Sequence, residues 1–297
     1  MRLGALILPE HPGPNGNEIW QRVEQLGLRH AWTYDHLHWR PASGGPWFDA
    51  LTTLTGAACV TRRIALGTLV ASPSFRHPLT TASQVMTLDH LSGGRFILGV
   101  GSGAPGPDTE ALGKQALGGP GSPAAERAER FAEFVALTDA ALRGRTVDHH
   151  GRHFTATGVR LRPGCVQQPR VPFAVAAAGP RGMRLAAEYG EYWVTIGRPR
   201  DPGGQPEAAA LGTLRAQLDR LSAACLDTGR DPADLRKLVQ LSRIVADPYS
   251  SPERLRDLVG RCADLGFTDI VLAYPRRTGI FAGDLDSFER AVTTCSD

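Results

Sequence analysis

Asp35 and His36 follow directly on a short apolar run, and Trp39 and Trp47 come soon after them. An imidazole can give or take a proton near neutral pH, and a neighbouring carboxylate can orient it. The indoles add flat apolar surface against which a ring system can lie. A histidine satisfied by backbone and tryptophans in ordinary packing are the alternative. Gly179-Pro180-Arg181 is a second candidate, because Pro180 stands where a helix would begin. Free N–H groups of that first turn, with the charge of Arg181, can hold a phosphate; otherwise the glycine and proline only make a tight turn. Ser102 and Gly103 form another corner without bulk, where backbone can approach a ligand. His149, His150 and His153 have metal-binding chemistry but flank Gly151, a pattern that reads as a hairpin turn instead.

Paired carboxylates are scarce. A glycosidase needs two facing acids, and a metal-dependent hydrolase needs several His and Asp ligands from different strands. A hydrolytic reading requires two acids, such as Glu10 and Asp35, to face each other.

These residues cluster at the ends of apolar runs, and the runs define the elements that position them. Eight runs have the length of strands: Leu3 to Leu8, His30 to Tyr34, Ile64 to Val70, Phe96 to Val100, Phe173 to Ala177, Tyr192 to Ile196, Leu238 to Val245 and Ile270 to Tyr274. Segments of helical period alternate with them: Asn17 to Leu26, Asp49 to Val60, Thr80 to His90, Ala125 to Leu142, Pro180 to Tyr189, Glu207 to Thr228, Pro252 to Leu265 and Leu285 to Thr294. On the fourth of these, Glu126 and Arg130 stand one turn apart and read as a solvated pair. Eight parallel strands with crossover helices predict a (β/α)8 TIM barrel, an open doubly wound sheet being the other solution. Working residues of such a barrel come from the loops after its strands. The Gly/Pro-rich stretches Ala104 to Pro123 and Arg198 to Pro206 follow strand ends and are candidate lids, and a hairpin is expected near Thr146 to Leu161.

Composition agrees with a single barrel of this size. The chain has 297 residues, 42% of them hydrophobic and 21% charged, enough for one large barrel domain over its whole length, since such barrels run to about 250 residues. Lys plus Arg number 33 against 30 Asp plus Glu, and the basic residues are scattered, so nucleic acid and anionic lipid are poor candidate partners. Five cysteines without a Cys-x-x-Cys argue against a disulfide framework or a structural zinc site and favour a cytoplasmic location. The apolar start ends at Pro9, too short for a membrane helix, and reads as the first buried strand.

One run is specific: Leu66-Gly67-Thr68, Ser72-Pro73-Ser74-Phe75-Arg76-His77-Pro78, Leu88-Asp89-His90-Leu91-Ser92-Gly93-Gly94-Arg95-Phe96 and Leu98-Gly99-Val100-Gly101-Ser102-Gly103. With Tyr34-Asp35-His36, Val147-Asp148 through Phe154, and Ala176 through Arg181, it resembles the luciferase-like flavin monooxygenases and their relatives that use the deazaflavin F420. The resemblance implies a TIM-barrel oxidoreductase using F420 or FMN on a small organic substrate, with a homodimer and a flavin or F420 reductase as expected partners. By it, Leu69 and Val70 match a bulge, often a non-prolyl cis peptide, that backs the cofactor ring. Asp35, Ser72, Ser102 and Gly103 match positions around the ring and its polyol chain, and Gly179, Pro180 and Arg181 match the phosphate corner. His36 and Trp39 match the pair that faces the reacting atom in F420-dependent sugar-phosphate dehydrogenases, and Arg198 loosely matches a substrate-phosphate lysine. Leu91 to Arg95 match a motif at the opposite end of the barrel that serves the fold. Where those dehydrogenases place a glutamate after the strand-four glycines, this chain has Ala104, with Glu110 further along. The Asp-His followed by Trp favours F420; a reduced-FMN monooxygenase and a cofactor-free lyase, cyclase or ligand-binding barrel are the other readings.

Overall fold

The computed structural model describes residues 1–42, 44–104, 106–112, 122–197 and 207–296. Its strands are β1 (Arg2–Leu6), β2 (His30–Thr33), β3 (Ala65–Thr68), β4 (Phe96–Gly101), β5 (Val147–His150), β6 (Thr155–Val159), β7 (Phe173–Ala176), β8 (Tyr192–Thr195), β9 (Arg236–Gln240) and β10 (Asp269–Ala273). All but β5 and β6 close into one parallel barrel in the order β1-β10-β9-β8-β7-β4-β3-β2. The expected TIM barrel is the observed one, and the expected hairpin is the antiparallel β5–β6 pair.

Helices α1 (Gly13–Gln25), α2 (Ala50–Val60), α3 (Pro78–Ser92), α5 (Ala124–Leu142), α6 (Pro180–Tyr189), α7 (Glu207–Asp227), α8 (Pro252–Leu265) and α9 (Leu285–Ser296) surround the barrel, and a short α4 (Pro107–Leu112) follows β4. Local chemistry sets their ends. Asp49 caps α2 through Thr52 N–H, Ser251 caps α8 through Arg254 N–H, and α3 begins on Pro78 and stops at Gly93, which is left-handed at φ 66°.

Alternation along the strands builds two cores. In β1, Leu3 and Ala5 face the helices while Leu6 points into the barrel beside Trp32, Ile97 and Val271. At the N-terminal end the barrel is closed by a polar plug, in which Trp32 Nε1 donates to His30 Nδ1 at 2.7 Å and His30 Nε2 meets Asp269 Oδ1 at 3.1 Å. Arg2 and Thr268 also donate to Asp269, at 2.7 and 2.6 Å. Arg95 ties the same end together through the carbonyls of Ala58, Thr61 and Ile64, in keeping with a structural role for the Leu91 to Arg95 motif.

Three sequence expectations need correction. The run Leu238 to Val245 is not one strand: β9 ends at Gln240, Leu241–Arg243 form a 3₁₀ turn, and Ile244 and Val245 pack into the outer core, an apolar run whose period alone does not separate strand from turn. The stretch from Ala104 is not loop alone, since α4 lies within it. Arg130 is buried, so its 2.9 Å bond to Glu126 is not a solvated surface pair.

Candidate functional site

At the C-terminal end of the barrel, the loops after β2, β3, β4, β7, β8 and β9 surround a cleft of about 620 Å³. Asp35, His36, Trp39, Leu69, Val70, Ser72, Ser102 and Gly103 all line it. A neighbouring hollow of about 380 Å³ shares Ser102, Ala176, Ala177 and Ala178 with the cleft and runs on to Gly179, Pro180 and Arg181. The expected site residues therefore line these two adjoining hollows, apart from Arg198, which lies outside the described residues. A larger hollow of about 800 Å³ beside the loops after β1 and β10 contains Glu10 and Arg276, already joined by hydrogen bonds of 2.7 and 2.8 Å. It lacks the convergence of groups seen in the cleft.

Asp35 is a structural anchor. It is buried, and Arg76 grips it with a fork of hydrogen bonds, Nε to Oδ2 at 2.5 Å and Nη2 to Oδ1 at 2.6 Å. The same Nη2 reaches Asp49 Oδ2 at 2.8 Å, which ties the loop after β2 to the start of α2. Burial alone would lower the Arg76 guanidinium, but the bonds and charges of Asp35 and Asp49 outweigh it and raise it, so it stays charged. Asp35 is thus held by Arg76 and Glu10 by Arg276, in separate hollows, so these two acids do not form a facing pair in the cleft.

His36 is held differently. Its Nδ1 lies 2.7 Å from Asp108 Oδ2, while Asp108 Oδ1 accepts the N–H groups of Leu37 and His38, each at 3.0 Å. Burial works to raise the Asp108 carboxyl, but the bonds from His36, His38 and Leu37 and the nearby imidazole outweigh it and hold it below the usual aspartate range. The imidazole lies nearly parallel to Trp39, their centroids 6.4 Å apart at 10°, and Trp47 Nε1 donates to the His36 carbonyl at 2.7 Å. Trp39 in turn packs edge-on against Tyr34 at 4.9 Å and stacks with Phe281 at 6.2 Å. An aromatic wall thus shields one side of the cleft. Burial pushes the Tyr34 hydroxyl up to about 12, and Gln240 Nε2 donates to it at 2.6 Å.

The back of the cleft is shaped by glycines. The Leu69–Val70 peptide is cis. A Cβ on Gly101 would lie 2.7 Å from a Val70 methyl, and one on Gly99 would meet the Thr68 carbonyl. Gly103 has φ +70°, and a Cβ there would press on the Ser72 and Ser74 hydroxyls. At the far end, α6 starts without a side-chain cap, and among the described residues the N–H groups of Arg181 and Gly182 make no hydrogen bond. Space beside Gly179 is open. A flat ring on the Leu69–Val70 shelf with an anion at α6 fits these two hollows. The Arg181 guanidinium itself turns toward α5, 3.5 Å from the Ala125 carbonyl and 3.9 Å from Glu129.

Sequence reasoning missed Asp108 and Arg243. Gly106-Pro107-Asp108-Thr109-Glu110 is a helix-start pattern, proline first and acids in the opening turn, hidden by the Gly/Pro content around it. Arg243 lines the cleft from the 3₁₀ turn and has no ion-pair partner among the described residues. No sequence pattern marks it. The histidine group on the hairpin is not a metal cluster among the described residues, and His149 is bonded to Glu133 at 2.8 Å.

The profile of the luciferase-like monooxygenases matches residues 1–265. The chain is 35% identical over 272 residues to 4-hydroxyprotoasukamycin monooxygenase of Streptomyces nodosus subsp. asukaensis, covering 86% of this chain and 67% of that one. It is 32% identical over 230 residues to the F420-dependent hydroxymycolic acid dehydrogenase of Mycobacterium tuberculosis, covering 76% and 58%. The chain thus spans roughly three-fifths to two-thirds of the length of these relatives. Its fold superposes on an F420-dependent secondary alcohol dehydrogenase in complex with an F420-acetone adduct with a TM-score of 0.80 at 17% identity, covering 100% of this chain and 98% of that one. By its barrel, its glycine-backed cleft and a profile match over most of its length, the chain belongs to the luciferase-like monooxygenase family.

Proposed function

We propose that the protein is an oxidoreductase that binds F420 between Trp39 and the start of α6 and exchanges a hydride with a small organic substrate. The observation that carries this reading is His36, clamped through Nδ1 and stacked near Trp39 in a cleft whose adjoining hollow runs to a bare helix N-terminus. F420, when bound, supplies the hydride acceptor or donor. This chain does the rest. Leu69 and Val70 support the ring, with Gly99 and Gly101 leaving them room, and the N–H groups of Arg181 and Gly182 hold the phosphate. Trp39 and Phe281 exclude water. His36 takes or returns the substrate proton at Nε2.

The relatives support the cofactor choice, since both the hydroxymycolic acid dehydrogenase and the structurally similar alcohol dehydrogenase are F420-dependent by name. A second reading, reduced-FMN monooxygenation with a separate reductase, is favoured by the 35% identical monooxygenase. Titrating the protein with F420 and with FMN, then following F420 absorbance with a panel of small alcohols, separates the two. Tight FMN binding without F420 binding selects the second. Sedimentation of the purified chain tests the homodimer expected for the family. Among the described residues no helix is long and apolar enough to cross a membrane.

A further inference from the structure

We propose that Asp108 is a positioning residue that fixes the proton of His36 on Nδ1 and leaves Nε2 as the free, accepting nitrogen in the cleft. Its consequence for turnover rests on the oxidoreductase reading; the tautomer does not.

A carboxylate can only accept, so a 2.7 Å contact between Asp108 Oδ2 and Nδ1 requires the hydrogen on Nδ1. The neutral ring then has its lone pair on Nε2, which makes no hydrogen bond among the described residues. An imidazole open to water prefers the opposite tautomer. His36 is 39% exposed, so its preference must come from Asp108. Among the described residues no other carboxylate bonds to the ring, and Asp35, next in sequence, is filled by Arg76.

The carboxylate is itself tightly placed. Its second oxygen takes two backbone N–H groups of the loop after β2, so a single side chain from α4 fastens both the ring and the loop that carries it. The turn that presents it is closed by Thr109, whose hydroxyl donates to the Gly106 carbonyl at 2.9 Å and accepts the Gly106 N–H at 3.1 Å. Where the resemblance expects a glutamate directly after the β4 glycines, Ala104 stands, and the acid that serves His36 comes four residues later.

Asp108→Asn tests this. If its carbonyl stays on the two backbone N–H groups, its NH₂ faces Nδ1 and forces the hydrogen to Nε2. Nitrogen-15 NMR of imidazole-labelled protein, at a pH where the ring is neutral, reads the tautomer without any cofactor. The expected result is Nδ1–H in the wild type and in Asp108→Glu, and Nε2–H in Asp108→Asn. In turnover, Asp108→Asn should lose on the order of 10²-fold in kcat with KM and cofactor Kd within about twofold, and add nothing to His36→Ala. An Nε2–H wild type, or a tautomer unchanged by Asp108→Asn, overturns the proposal. A wild type that binds neither cofactor counts against the oxidoreductase reading alone, and the NMR result still decides this one.

Discussion

The guanidinium of Arg76 closes a two-pronged hydrogen bond on the carboxylate of Asp35, 2.5 and 2.6 Å long, with both groups buried and Asp35 at the wall of the cleft. A buried pair of this kind sets geometry more than it adds stability, but removing one partner strands the other charge. Arg76→Ala should therefore cost about 3 to 5 kcal/mol in urea unfolding. A loss under about 1 kcal/mol would show that Asp35 finds water or protonates without strain.

His36 is expected to act on the reaction and not on cofactor binding. His36→Ala should slow turnover on the order of 10²-fold or more while cofactor Kd changes little. A defect confined to Kd would place His36 in the cofactor's binding shell instead.

The glycine floor gives a complementary variant. In Gly101→Ala the new methyl would stand 2.7 Å from the Val70 methyl that shapes the ring shelf. Cofactor affinity should fall about tenfold or more, since a displaced shelf spoils contact over the whole ring face, corresponding to roughly 1.4 kcal/mol. Unchanged affinity in calorimetric titration would move the ring away from this wall.

Acid should loosen the barrel from its closed end. Burial works to raise the Asp269 carboxyl, but bonds from His30, Thr268 and Arg2 outweigh it and hold it below the usual aspartate range. A carboxylate depressed in the folded state contributes stability above its unfolded value of about 3.9, and loses it as pH falls through the folded value. Asp269→Asn should accordingly destabilise at neutral pH by about 1 to 3 kcal/mol and progressively less below pH about 4. A penalty that is constant from neutral pH to acid would refute the linkage.

Arg243 points to substrate charge. Lining the cleft without an ion-pair partner among the described residues, it is placed to meet an anionic group. Arg243→Gln should raise KM for acidic substrates about tenfold and leave neutral ones nearly unchanged. Equal effects on both classes would exclude a charge-specific role.

Much of this was legible in the chain itself. The alternation of Leu3, Ala5 and Ile7 with Leu6 and Leu8 announces a strand between two cores, and Pro180 after Gly179 announces a helix start that the structure leaves bare. The Asp35-His36 corner lies after β2 and lines the cleft, but its hydrogen-bond partners are distant in sequence. Arg76 lies 41 positions from Asp35 and Asp108 lies 72 from His36, and neither pairing leaves a local pattern. Asp108 was further masked because a helix of six residues within a Gly/Pro-rich stretch carries too little periodicity to read. Arg243 was obscured for another reason, since the apolar residues on either side of the turn extend the appearance of β9.

A redox cofactor of the F420 type is expected between Trp39 and the start of α6. The most direct measurement is the change in F420 absorbance on mixing the purified protein with oxidised F420 and a small alcohol, alongside the Kd of F420 and FMN. Micromolar F420 binding, with bleaching of the oxidised form that is slowed on the order of 10²-fold or more in His36→Ala, is the expected result. Tight FMN binding with none of F420, or no binding of either by the folded protein, would contradict it.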